Sequence, residues 1–139
     1  MSALLDKVTA LLTEAEVEYD LHCEEGQEII HLGQVNKEMS YHLLIQVDDA
    51  ASIVHVIGAA NCYVPEDKRA EAYVLLNESN YSYPHKSYID PRDGQLMAQK
   101  SPDVDGDALN KEVLMAAIAA VHAAIEHNYD AMMRLRYGN

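Results

Sequence analysis

Three histidines, His31, His42 and His55, fall in three successive stretches of alternating apolar and polar residues. Imidazole binds zinc and similar ions and titrates nearest neutral pH, so their mutual placement matters. In an antiparallel pair, a two-residue turn at Asn36-Lys37 sets His31 opposite His42. A second turn centred on Asp48-Asp49 then sets His42 opposite His55, and centring it on Asp49-Ala50 keeps His55 as a diagonal neighbour. Directly opposed Cβ atoms lie ~4.5–5.5 Å apart, close enough for a shared ion. The arithmetic predicts three imidazoles in a row, on the face opposite Ile30, Leu32, Leu43, Ile45, Val54 and Val56. A metal-binding sensor or metal-dependent enzyme is one reading of such a row. Ile29, Leu44, Ile53 and Ile57 share the face, so neutral imidazoles on a half-buried surface are the other reading.

Carboxylates form the second pattern. Past Ala15 the period changes to two: Glu14, Glu16, Glu18 and Asp20 alternate with Val17, Tyr19 and Leu21, which predicts an edge strand with charge along one face. Such a strip blunts an exposed edge or attracts a basic partner segment. Asp103, Asp105 and Asp107 resemble the opening of a calcium loop, but Gly106 comes too early and no closing Glu follows. Asp107 or Asp105 is instead expected to cap the last helix. No GxSxG, HExxH or GK[ST] pattern is present, and the six glycines are scattered. No catalytic residue and no cofactor are therefore assigned.

The elements that must position these groups read clearly. Ser2 can cap a helix whose Leu4, Leu5, Val8, Leu11 and Leu12 keep one apolar face. Strands are expected at Glu28–Val35, Tyr41–Asp48 and Ser52–Ala60, and a helix opens at Pro65, where a fixed φ suits the first turn. Two further strands, His85–Asp90 and Gln95–Lys100, flank a Pro91–Gly94 turn, and a long helix follows from Asp107 to Leu135. The expected order is α-βββ-α-ββ-α in one α+β domain over residues 1–139. Asn77 and Asn80 are read as helix-ending residues. A net charge of −13 argues against nucleic acid and anionic membranes as partners. Cys23 and Cys62, with no leader-like segment ahead of them, suggest free thiols in the cytoplasm.

The stretch Val64–Asn80, VPEDKRAEAYVLLNESN, resembles the central helix of YbjN-type domains, a group of bacterial sensory transduction regulators. With the element order and the Asp90–Gly94 turn, the resemblance covers most of the chain. It implies a five-stranded antiparallel sheet packed with helices, a fold like that of the type III secretion chaperones, frequent dimers, and no catalytic motif.

In the last helix, Val113 to Ile125 carries no formal charge and is apolar or small on every side. Leu114, Ile118, Val121, Ile125, Met132 and Leu135 form one seam, and Val113, Ala117, Ala120 and Ala124 a small-residue ridge beside it. Apolar surface all round a helix needs more than one cover. The ridge is expected to be a homodimer interface, with burial by the N-terminal helix as the competing reading. Taken together, the sequence suggests a non-enzymatic protein-interaction module that holds a partner segment near Glu14, Glu16, Glu18 and Asp20.

Overall fold

Ser2 has an extended backbone, and its Oγ accepts the Leu5 N–H at 3.1 Å, which starts helix α1 (Ala3–Glu14). The same hydroxyl donates to Oε1 of Glu28, tying the helix start to the sheet. Leu5, Val8 and Leu12, one face of α1, are fully buried. Complete burial of such side chains is worth ~1.5–3 kcal/mol each, enough to hold a helix of this length. The end of α1 is a Schellman closure: Val17 N–H reaches Leu12 C=O, Glu16 N–H reaches Thr13 C=O, and Glu16 takes φ 60°.

The computed structural model describes residues 2–24, 26–36, 40–82 and 85–137. Six strands follow α1 and the turn: β1 (Asp20–Glu24), β2 (Gln27–Asn36), β3 (Ser40–Asp48), β4 (Ile53–Tyr63), β5 (Lys86–Ile89) and β6 (Gln95–Lys100). A 3-10 turn at Glu66–Lys68 leads into α2 (Arg69–Ser82), and α3 spans Lys111–Arg136. All pairings are antiparallel, in the order β1-β2-β3-β4-β6-β5. The fold is α+β as expected, with six strands rather than five. The added strand is β1, which shares only Asp20 with the predicted acidic strip.

Ile30, Leu43, Ile45, Val54, Val56, Leu96 and Ala98 point to one face of the sheet and join the buried residues of all three helices in a single core. Side-chain alternation leaves the opposite face without a helix among the described residues. Helix α3 crosses β4 where Gly58 stands. A Cβ there would lie 2.8 Å from Cγ1 of Val121 and 3.2 Å from Cγ1 of Ile125. Glycine is what lets this helix sit down on the sheet.

The Val64–Asn80 segment forms a joint with the Asp90–Gly94 turn. Arg69 donates from Nε to Val64 C=O at 3.2 Å and from a terminal nitrogen to Pro91 C=O at 3.3 Å. Gly94, at φ 79°, donates its N–H to Asp90 C=O and accepts the Val64 N–H. A Cβ on it would come within 2.2 Å of the Val64 oxygen. Asp90 accepts three side-chain hydrogen bonds from Arg92, which hold its carboxyl down to about 2.

Asn77 and Asn80 do not end α2, which continues to Ser82. Asn80 instead bonds both backbone groups of Ser87, Nδ2 to its C=O at 2.9 Å and Oδ1 from its N–H at 2.7 Å. Asn128 of α3, buried, donates to Oγ of Ser79 and of Ser87, each at 3.1 Å. Nor is α3 capped by Asp105 or Asp107: the cap is Asn110, extended, accepting the Val113 N–H at 2.9 Å. Asp103 is engaged with the Asp105 N–H in the preceding loop.

Two substitutions test this joint. Gly94→Ala combines a positive φ with a backbone clash and should lower unfolding stability by more than ~2 kcal/mol in urea titration. Asn80→Ala leaves the Ser87 backbone without its side-chain partners and should cost ~1–3 kcal/mol. A neutral result for both would show that the joint is not under strain and carries little stability.

Candidate functional site

The three histidines do share the helix-free face, but the row does not form. His31 pairs with Leu44, His42 with Ala59, and His55 with Gln46. Two departures from the expected turns cause this. Asn36 pairs with Ser40, three positions off the register of a two-residue turn, and a bulge between His31 and Gly33, with Gly33 at φ 100°, recovers one of them. The β3–β4 turn spans Asp49 to Ser52 rather than two residues. It is fixed by Asp48 Oδ1 accepting the Ala51 N–H and by Ser52 at φ 54°. The turn expected at Asn36-Lys37 falls in part outside the described residues. His42 and His55 end up four positions apart along adjacent strands, roughly 13 Å by the rise per residue. Among the described residues, no group of three or more His, Cys, Asp or Glu is placed to hold a metal ion. His55 Nδ1 instead lies 2.6 Å from Ser101 Oγ and 2.9 Å from Gln99 Nε2, while His31 packs edge-on to His22 at 5.9 Å between ring centres.

The acidic strip is likewise divided. Glu14 belongs to the last turn of α1 and lies 3.8 Å from Lys111, both exposed. Glu16 occupies the left-handed position of the helix closure, so the alternation read from the sequence is broken there by helix geometry. Glu18 and Asp20 do come together. With Val17, Tyr19, His31, Leu32 and Gly33 they line an open cleft of about 540 Å³ beside the outer end of β1. This is where carboxylates, an imidazole and an exposed strand edge coincide.

The small-residue ridge on α3 is largely buried within one chain. Ala117 and Ala124 are closed over by the chain's own core, and only Val113 and Ala120 remain half-buried. The second cover that an all-round apolar helix demands comes from α1 and α2, both of which pack against α3. Asn128, the polar gap in the seam, is satisfied by the serines of the joint.

One arrangement escaped the sequence. Tyr41, buried on the core face of β3, forms a hydrogen bond between its hydroxyl and Nδ1 of His122 on α3, and His122 Nε2 lies 3.4 Å from Glu126. Carboxylate, imidazole and hydroxyl in series have the order of a nucleophilic relay. Burial and the nearby Glu126 charge raise the Tyr41 pKa, however, and the hydroxyl is sealed from solvent. The chain of contacts satisfies a buried phenol. Only the His122–Glu126 spacing of four was visible in advance, since Tyr41 lies 81 positions away.

The exposed apolar side chains also have a pattern. Tyr73, Val74 and Tyr81 stand on the outer side of α2, the last of them 95% exposed. None of the described helices is long and apolar enough to cross a membrane.

A one-layer antiparallel sheet of six strands with three helices on one face defines a small α+β fold. A sequence model of the YbjN family, described as "Putative bacterial sensory transduction regulator", matches residues 4–134, and the chain belongs to that family. The description names a regulator and no reaction. A search of curated proteins found no match.

The two cysteines give a direct check on the fold around this site. Cys23 is exposed on β1, whereas burial pushes the Cys62 thiol up to about 11. Folded protein should titrate one thiol per chain with a water-soluble disulfide reagent at neutral pH, and two in denaturant. Two rapidly reacting thiols in the folded protein would contradict the placement of β4 against α3.

Proposed function

We propose that the chain is a non-enzymatic regulatory module of the cytoplasm that acts as one domain and holds an extended, basic segment of a partner protein along β1. The observation that carries this is the inequality of the two sheet edges. At β5, Asn80 already occupies the N–H and C=O of Ser87. β1 is the terminal strand at the other end of the sheet and pairs with β2. An added strand satisfies such an edge, and alternate side chains then read the flanking surface. Glu18 and Asp20 supply negative charge there, and the overall charge of −13 draws a basic segment toward it. Glu14 and Glu16 contribute at longer range, from the helix end and the turn. The role is chaperone-like in the limited sense that an extended segment is held. Self-association belongs to the same reading, on a surface other than the α3 ridge.

A synthetic peptide of alternating lysine and valine is a suitable probe. It should bind one per chain by calorimetry, and its affinity should fall steeply between about 0.05 and 0.5 M salt as screening shortens. Glu18→Lys with Asp20→Lys should weaken binding by ~10-fold or more, equal to ~1.4 kcal/mol, with the melting temperature nearly unchanged. Equal binding of a peptide in which lysine is replaced by glutamate, or no loss in the double variant, would remove the electrostatic basis of the proposal.

A further inference from the structure

Strand β1 is shorter than the strand it lies on. It pairs with β2 from Gln27 to His31, and its first residue, Asp20, stands opposite His31. The pairing of β2 with β3 runs on to Asn36. The last five residues of β2, Leu32 to Asn36, therefore extend past the start of β1. Among the described residues, the sheet has no strand beside them on that side. There the chain arrives from α1 through Val17, Glu18 and Tyr19, outside any strand, and meets β2 only at Asp20. The two segments form a fork. The open cleft of about 540 Å³ lies in it, with Val17 to Asp20 on one side and His31 to Gly33 on the other.

Local backbone geometry keeps the fork open. Continued pairing would set Tyr19 opposite Leu32 and Glu18 opposite Gly33. Glu16 at φ 60° and the Val17 N–H are instead committed to the closure of α1, and the bulge at Leu32 bends β2. A Cβ on Gly33 would meet nothing within 4 Å, so the glycine serves its φ of 100° and leaves bare backbone at the cleft. Successive residues of a strand direct N–H and C=O alternately to either side, so about two residues of this overhang offer both groups to the fork.

The walls select what fills it. Val17, Tyr19 and Leu32 are half-buried and pack on the core, which makes the helix side of the fork apolar. Glu18 and Asp20 are exposed, and Asp20 shares the helix-free side with His31. An extended segment alternates its side chains between these two sides. One set meets the apolar floor and the other the carboxylates. The outer row of β1 offers no such floor, because Leu21 and Cys23 on its helix side are themselves exposed.

We infer that the fork seats a short extended segment of a partner protein, hydrogen-bonded to Gly33–Asn36 of β2, with apolar and basic side chains in alternation. Those four positions correspond to ~13 Å of strand. The inference rests on the partner-segment reading above and moves the backbone contacts from the outer row of β1 to the overhang of β2. The seated segment continues the line of β1 and brings that edge to the length of its neighbour.

Amide hydrogen exchange on the full chain, with and without saturating lysine–valine peptide, tests the seat. Fork-facing amides between Leu32 and Asn36 should exchange ~10-fold or more slowly in the complex, while those of Leu21–Glu24 change by less than ~2-fold. A peptide with threonine in place of valine keeps every charge and should bind at least ~5-fold more weakly, because its hydroxyls meet the apolar floor. Protection confined to Leu21–Glu24 would overturn the inference and leave peptide capture along β1 standing. Equal binding of the threonine peptide would also overturn it, since the floor would then select nothing. A lysine–valine peptide that does not bind at all would remove both readings.

Discussion

Asn80 offers a carboxamide where a seventh strand would offer a peptide group, and Ser87 accepts it in full. That pair of hydrogen bonds is the constraint on which the rest of the molecule depends. It seals β5, the shortest strand and the one nearest to being lost, and does so from a helix that is itself pinned at its other end by Arg69 and Gly94. Because Asn128 reaches the same serine from α3, sheet edge, central helix and terminal helix are held at one place. An edge occupied by a side chain cannot recruit another chain, which is why the functional argument moves to β1.

The residues of the joint serve the architecture. Arg69, Gly94 and Asn80 face inward to backbone groups, and none lines the acidic cleft. Between Val64 and Asn80 the outward positions are less constrained by the joint and carry the exposed Tyr73 and Val74. The match over residues 4–134 places the chain in the YbjN family.

Those surfaces divide by charge. Carboxylates collect at the α1–β1 turn and the β1 edge, while the broad helix-free face of the sheet holds imidazoles, amides and an apolar line. The long helix, whose apolar circumference suggested an intersubunit role, finds its covers inside the chain: the sheet at Gly58 on one side, α1 and α2 on the others.

Local chemistry wrote much of this into the sequence. Ser2 capping α1, Pro65 opening the route into α2, the Pro91–Gly94 turn and the alternation in β2, β3 and β4 depend on neighbours a few residues away. Such preferences survive in any tertiary context. The common face of His31, His42 and His55 was expected, but both it and their spacing rest on register. Asn36 pairs with Ser40, which alone would turn His31 to the core, and the bulge at Gly33 returns it. The longer turn at Asp49–Ser52 displaces the β3–β4 pairings. The acidic strip failed at Glu16, where the helix closed in a left-handed cap usually given to glycine. What covers α3, what satisfies Tyr41 and which sheet edge remains free were decided by contacts between residues far apart in the chain. No local pattern encodes those contacts, and only the assembled sheet and its helices could supply them.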